Sequence, residues 1–321
     1  MQKILILLLV LIYSCDKLPD SKGGYNQVVI VSSDNDKPII FDRINNLLSD
    51  YINTPNEEKL LEAKWISSKN FIDYLNYRNI IFFSLTEPAD SSIDLLVSKF
   101  NKNYKSNLFA LNDIYSKNQL LVFLSTKDSV SFIQDLEVNS EWILDNINEN
   151  VDKYLHSYIY INGTNDSINN IINTSFKIDF ITQKDYLVVK NDIDNESFLW
   201  IGRGYPYRWL TFKKINLNSD ILLFEEFKNH IRNDMPNVKI TDYYKNLLYE
   251  SDDIIKIQGL YEEDKSSTGG PFISYAKLFR EYNQAIIITG FVNNPGKDKI
   301  RLLKELELQI KNTIYRGDYG K

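Results

Sequence analysis

Residues 79–85 read Asn-Ile-Ile-Phe-Phe-Ser-Leu, with almost no polar interruption. A strand with one wet face alternates apolar and polar residues. A strand covered on both faces reads as a continuous apolar run. This segment therefore predicts a central strand, and it demands elements on either side to cover it. The flanking sequence supplies candidates. Gln27–Val31 is a short apolar run that reads as a buried strand, and Ile40, Ile44, Leu47, Leu48 and Tyr51 recur at helical spacing after it. Leu60–Ser67 reads as a further strand, followed by a short helix marked by Phe71, Ile72 and Leu75. Ser106–Ser125 reads as two strands around a Ser-Lys-Asn turn. A long helix follows with a stripe of Ile143, Ile147, Val151, Tyr154 and Tyr158.

The polar, turn-rich stretch Ile161–Asn170 marks a boundary. Beyond it, strands are expected at "FKIDFI", "DYLVVK", "SFLWIGR", "RWLTFKKI", "DIIKIQGLYEE", "GPFISYAKLF" and "QAIIITGFV". Helices are expected over Ile221–Arg232 and after "NNPGKDK". Pro295 would sit in the first turn of the last helix, with a stripe of Leu303, Leu306, Ile310 and Ile314. Clustered strands with few helices predict an α+β protein of mixed sheets with helices packed on one face. Two ferredoxin-like halves are one arrangement that fits. The expected divisions are 1–14 as signal peptide, 15–26 as a disordered tether, 27–160 as an N-terminal subdomain and 161–321 as a C-terminal one.

The opening "MQKILILLLVLIYSCDK" speaks to location. Lys3 precedes an apolar run of about nine residues, far short of the roughly 20 that span a membrane, and it reads as a signal peptide. "IYSC" resembles the lipobox of bacterial lipoproteins, which implies lipidation of Cys15 at the mature terminus. Tyr13 departs from that pattern. Cys15 is the only cysteine, so the chain has no disulfide and no second thiol for catalysis. A net charge of -6 argues against a general nucleic-acid binder.

The stretch Gly259–Glu307, with "GLYE", "GGPFISY", "GFVNNPG" and "LKELE", resembles a family of uncharacterised bacterial lipoproteins, domain-of-unknown-function family forty-eight thirty-seven. Weaker likeness runs through "DYLVVKNDIDNESFLWIGR" and "NIIFF", so coverage of most of the mature chain is expected. The family's Arg-Asp pair is broken here by Asn233 in "NHIRNDMPN". The resemblance implies a location and a fold, and no activity.

Candidate chemistry is sparse. His156 and His230 are far apart and read as surface residues, so no metal is expected. No cofactor is expected. "EEF", "SDD" and "YEED" offer carboxylates, read as solvated surface or as an acid–base pair if they converge. Gly269 and Gly270 in "SSTGGPF" read as a turn with positive φ, or as a ligand loop. Arg203, Tyr205, Tyr207, Arg208 and Trp209 in "RGYPYRW" offer aromatic faces and guanidinium groups for a glycan or peptide, or a hairpin whose alternate aromatics fill the core. The expected function is a lipid-anchored protein of the bacterial cell envelope, a non-enzymatic binding or structural module. Its partners would be the membrane through the lipid and an envelope protein or glycan. The alternative is a hydrolase acting on an envelope polymer with paired carboxylates. An acidic cleft rimmed by the aromatic hairpin would favour the enzyme. An aromatic surface without buried carboxylates would favour binding.

Overall fold

The computed structural model describes residues 18–101, 106–217, 223–264 and 268–315. Cys15 and the signal segment lie outside the described residues. In chain order the elements are β1 (Gln27–Ser32), α1 (Lys37–Leu47), β2 (Tyr51–Asn53), β3 (Glu57–Lys59), β4 (Glu62–Ser67), β5 (Asn79–Leu85) and α2 (Ser91–Asn101). Then come β6 (Leu108–Asn112), β7 (Leu120–Thr126), α3 (Ser129–Ile159), α4 (Asp166–Phe176), β8 (Leu187–Asp192), β9 (Phe198–Arg203) and β10 (Tyr207–Asn216). The chain closes with α5 (Leu223–Asp234), β11 (Val238–Ser251), β12 (Ile254–Glu263), β13 (Thr268–Phe279), β14 (Gln284–Asn293) and α6 (Ile300–Ile314). The protein is α+β, with two principal sheets in two compact units. The first holds residues 1–49 and 61–154. The second holds 50–60 and 155–321. The division thus falls inside α3 rather than at the polar stretch after it, and the β2–β3 hairpin belongs to the second unit.

The first unit is built on a sheet of order β4-β1-β5-β7-β6. The pairs β1–β4, β1–β5 and β5–β7 are parallel, and only the edge strand β6 runs antiparallel. All seven residues of β5 are buried. On one face Val29, Val31, Ile80, Phe82 and Phe123 pack against Phe71, Ile93 and Val97, with Phe82 stacked on Phe123 at 4.5 Å. On the other face Phe83 meets Phe132 of α3 edge-on at 5.4 Å. Helices therefore cover both faces, which corrects the one-face expectation. The continuous apolar run of β5 requires it. The expected tether is also partly ordered. Lys22 N donates to Asn76 O at 2.7 Å, Arg78 N to Lys22 O at 3.0 Å and Lys117 N to Pro19 O at 2.8 Å.

The second unit carries a sheet of order β11-β12-β13-β14-β10-β9-β8, antiparallel at every step. Neither sheet has the order of a ferredoxin-like half. Leu303, Leu306 and Ile310 of α6 and Ile168 and Ile172 of α4 pack on one face with Leu210, Ile273, Tyr275, Ile286 and Ile288. Leu223, Phe227 and Ile231 of α5 pack on the other with Ile255, Ile257, Phe272, Ile287 and Phe291. Covering both faces explains why β13 and β14 are buried along nearly their whole length. "FKIDFI" is not a strand. Phe176 ends α4, Lys177 takes a left-handed conformation, and Ile178 and Phe180 enter the core as irregular chain. The last helix begins at Ile300, after Pro295 rather than around it. Its first-turn N–H groups are met by the Glu58 carboxylate, 2.8 Å from Lys299 N and 2.7 Å from Ile300 N. The β2–β3 hairpin thus caps α6 across a long stretch of sequence.

Candidate functional site

Alternation along β10 sends the aromatic and charged residues of "RGYPYRW" to opposite faces. Arg208 is buried against α6, where it pairs with the Glu305 carboxylate. Trp209 turns to the other face and packs on Trp200, Tyr261 and Phe291 at centroid distances of 5.6, 5.8 and 6.3 Å. Arg203 is not a free surface arginine. It pairs with Asp185 and donates to Gln183 Oε1 at 2.7 Å. Burial beside Arg208 holds its guanidinium below the usual arginine range. Tyr205 and Tyr207 alone stand exposed, edge to face at 5.8 Å, with Lys297 Nζ 5.4 Å from the Tyr205 ring.

Gly269 and Gly270 are not in a turn. Both lie in β13, opposite Glu262 and Tyr261, and neither has a positive φ. What demands glycine is close approach. A Cβ at Gly269 would lie 2.2 Å from Tyr261 O, and one at Gly270 would lie 2.0 Å from Val292 O.

Gly269 helps line a cavity of about 690 Å³ in the second unit. The walls are Thr241 and Tyr243 of β11, Leu260 to Asp264 along and after β12, Thr268 and Gly269 of β13, and Pro55 of the β2–β3 hairpin. A break in strand register opens it. Pairing jumps from Ile240–Tyr261 to Lys245–Gly259, so four residues of β11 stand opposite Leu260 alone. Tyr243 on this bulge is 90% exposed, whereas Tyr261 is 1% exposed. The Tyr261 hydroxyl is buried and has no hydrogen-bond partner. Burial, reinforced by the charge of Glu263, pushes this phenol up, so it stays protonated. Glu262 and Asp264 are exposed and Glu263 is half-buried. Among the described lining residues there is no His, Lys, Arg, Ser or Cys. "YEED" and "TGG" therefore meet in one cavity, while "RGYPYRW" contributes only the packing of Trp209 behind Tyr261.

His230 corrects a second expectation. It is 5% exposed, with Nδ1 3.2 Å from Asp234 Oδ2. Lys213 Nζ lies 3.0 Å from the same oxygen. Burial holds His230 below the usual imidazole range despite Asp234. Burial alone would raise Asp234, but hydrogen bonds from His230 and Lys213 outweigh it and hold the carboxyl low. The spacing of His and Asp in "HIRND", four apart on one helix, was the available signal. His156 is exposed as expected. Among the described residues no cluster of three or more His, Cys, Asp or Glu could hold a metal, and no helix is long and apolar enough to cross a membrane.

A family model described as "Domain of unknown function (DUF4837)" matches residues 226–312. A second, "Domain of unknown function (DUF8532)", matches residues 21–156. The stretch Gly259–Glu307 lies within the first match, but that match does not extend over most of the chain. Both descriptions are of uncharacterised families. No curated protein matches. Among solved structures, the Ran-binding protein Mog1p of Saccharomyces cerevisiae is similar at 8% identity and a TM-score of 0.31, covering 43% of this chain and 87% of its own. A Bacteroides thetaiotaomicron protein is similar at 9% identity and a TM-score of 0.19, covering 40% and 41%. Likenesses this weak carry no functional argument.

Proposed function

We propose that this protein is a lipid-anchored component of the bacterial cell envelope, held through Cys15, that binds a partner in the cavity between β11, β12 and β13 without catalysing a reaction on it. One observation carries the binding reading. The cavity joins the exposed ring of Tyr243 and exposed carboxylates to the buried Tyr261, and its described walls carry no His, Lys, Arg, Ser or Cys. A glycosidase-type mechanism needs two carboxyl groups in contrasting environments. The carboxylates do differ in exposure, with Glu262 and Asp264 exposed and Glu263 half-buried between them, but the aromatic hairpin does not rim the cavity.

A photo-crosslinking residue at position 243 in intact cells tests the site. It should capture a discrete partner that the same residue at exposed Val138 does not. Hydrolysis of an envelope polymer by the purified chain, abolished by Glu262→Gln, would replace this reading with the enzymatic one. The anchor is tested separately. Cys15→Ser should leave an unprocessed precursor that takes up no labelled fatty acid, and a mature terminus elsewhere would remove the lipid from the proposal.

A further inference from the structure

We infer that the first unit lies against a phospholipid bilayer through the end at which its leader docks, with Ile72 and Ile114 set into the headgroup layer, an orientation that rests on the lipid anchor proposed above. The chain is held to this unit from Pro19 onward. Lys117 N donates to Pro19 O at 2.8 Å, Lys22 N to Asn76 O at 2.7 Å and Arg78 N to Lys22 O at 3.0 Å. The Arg78 guanidinium donates to Gly24 O at 3.1 Å and to Gly23 O at 3.4 Å. Cys15 and Pro19 are four residues apart, a separation that spans about 15 Å at most. A tether free as far as Asn26 would span about 40 Å. A lipid on Cys15 therefore keeps the segments around Lys117 and Asn76 within a short reach of the bilayer, whose headgroup layer is about 5–7 Å deep.

Exposure alone does not choose a membrane face. The first unit also leaves Leu95 of α2 and Val130, Val138 and Trp142 of α3 exposed. The docked leader makes the choice. It binds two segments, 76–78 and 117, that are fastened to each other. Gln119 Nε2 donates to Leu75 O at 2.7 Å and to Tyr77 O at 2.8 Å, and the Phe71 and Tyr115 rings meet at 6.1 Å. Just before these contacts in each segment stand Ile72, 80% exposed, and Ile114, 36% exposed. Tyr74, Tyr77 and Tyr115 are half-buried in the same segments. A ring with one dry and one wet end suits a membrane interface. The exposed charges of the leader and these segments are Lys22 and Lys117 against Asp20, Asp73 and Asp113. Anionic headgroups therefore exert no strong pull, and the short leader together with shallow apolar insertion sets the orientation.

The full-length protein, purified from membranes and reconstituted in vesicles of equimolar phosphatidylethanolamine and phosphatidylglycerol, tests this. Cys15 is the only native cysteine, and a lipid on its sulfur blocks it. A cysteine introduced elsewhere is then the single site for a bimane label. A nitroxide phospholipid should quench the label at Ile72→Cys and at Ile114→Cys several-fold more than at Val138→Cys, on the helix that covers the other face of the sheet. A flexible glycine-serine insertion after Lys17 should lower quenching at both isoleucine positions, because it lengthens the reach. Ile72→Asp with Ile114→Asp should lower quenching of a label at Lys117→Cys, at unchanged melting temperature because both positions are exposed. Mass spectrometry of the N-terminal peptide reads the lipid on Cys15 separately. A lipid present with equal quenching at positions 72, 114 and 138 would overturn the orientation and leave the anchor standing. Quenching at Ile72→Cys untouched by the insertion, or at Lys117→Cys untouched by the aspartate pair, would overturn it in the same way. A Cys15 without lipid would remove the anchor and the orientation together.

Discussion

Arg208 and Glu305 meet where neither reaches water, at 5% and 7% exposure, and Glu305 also accepts from Arg301 Nε at 3.1 Å. Removing one member of a buried pair strands the other charge. Glu305→Gln should therefore cost about 3 kcal/mol or more in chemical denaturation. The double variant Arg208→Met with Glu305→Leu should recover much of that loss, and an additive double variant would show that the pair is not coupled. The trio of His230, Asp234 and Lys213 predicts a pH dependence. The folded state protonates His230 below its ordinary value of 6.5, so just below that value the unfolded chain binds more protons. Stability from this residue is present above 6.5 and is lost as pH falls. Asp234, held below its ordinary 3.8, adds a second loss at lower pH. His230→Gln should flatten the first phase of a melting-temperature profile between pH 7 and 5 and leave the second. A single histidine gave the sequence no hint of burial, because burial depends on Phe198 and Phe227, whose rings lie about 6 Å away at 6.1 and 5.8 Å.

At the scale of elements, the apolar runs were the legible part. β5, β13 and β14 stand where continuous hydrophobicity put them, and α6 buries the stripe its periodicity marked. The Gly-Gly-Pro signal misled because glycine has two uses, positive φ and close approach, and the letters do not distinguish them. The two uses predict different mutants. Gly270→Ala places a Cβ 2.0 Å from a carbonyl oxygen that belongs to the strand backbone, so strands must separate, at a cost of about 2 kcal/mol or more. Gly204→Ala in the β9–β10 turn meets nothing within 4 Å and should stay within about 0.5 kcal/mol of the parent. Thermal melts of the two variants check this, and equal melting would remove the close-approach argument. The cap on α6 was illegible for another reason. Glu58 lies far from Ile300 in sequence, and cap signals are read within one turn. Glu58→Ala should cost about 1–2 kcal/mol, with faster hydrogen exchange confined to the first turn of α6.

For the whole molecule, composition and strand–helix alternation were enough to specify the α+β class, but not sheet order. Order depends on pairings between distant strands, such as β10 with β14 and β1 with β5, and no local periodicity encodes those. The boundary was obscured in the same way, since α3 runs through it without a break. The β2–β3 hairpin makes the division more than a matter of where one helix is cut. The chain crosses between units after Ser49, after Leu60 and after Tyr154. A fragment beginning at residue 155 would lack Pro55 from its cavity wall and Glu58 from its helix cap, so its melting temperature should rise when a peptide spanning 50–60 is added in trans. In terms of inheritance, the regions 21–156 and 226–312 are not exchangeable cassettes. A recombination that gave the C-terminal match a foreign N-terminal neighbour would keep α6 from Ile300 to Asn312 and lose the carboxylate at its head.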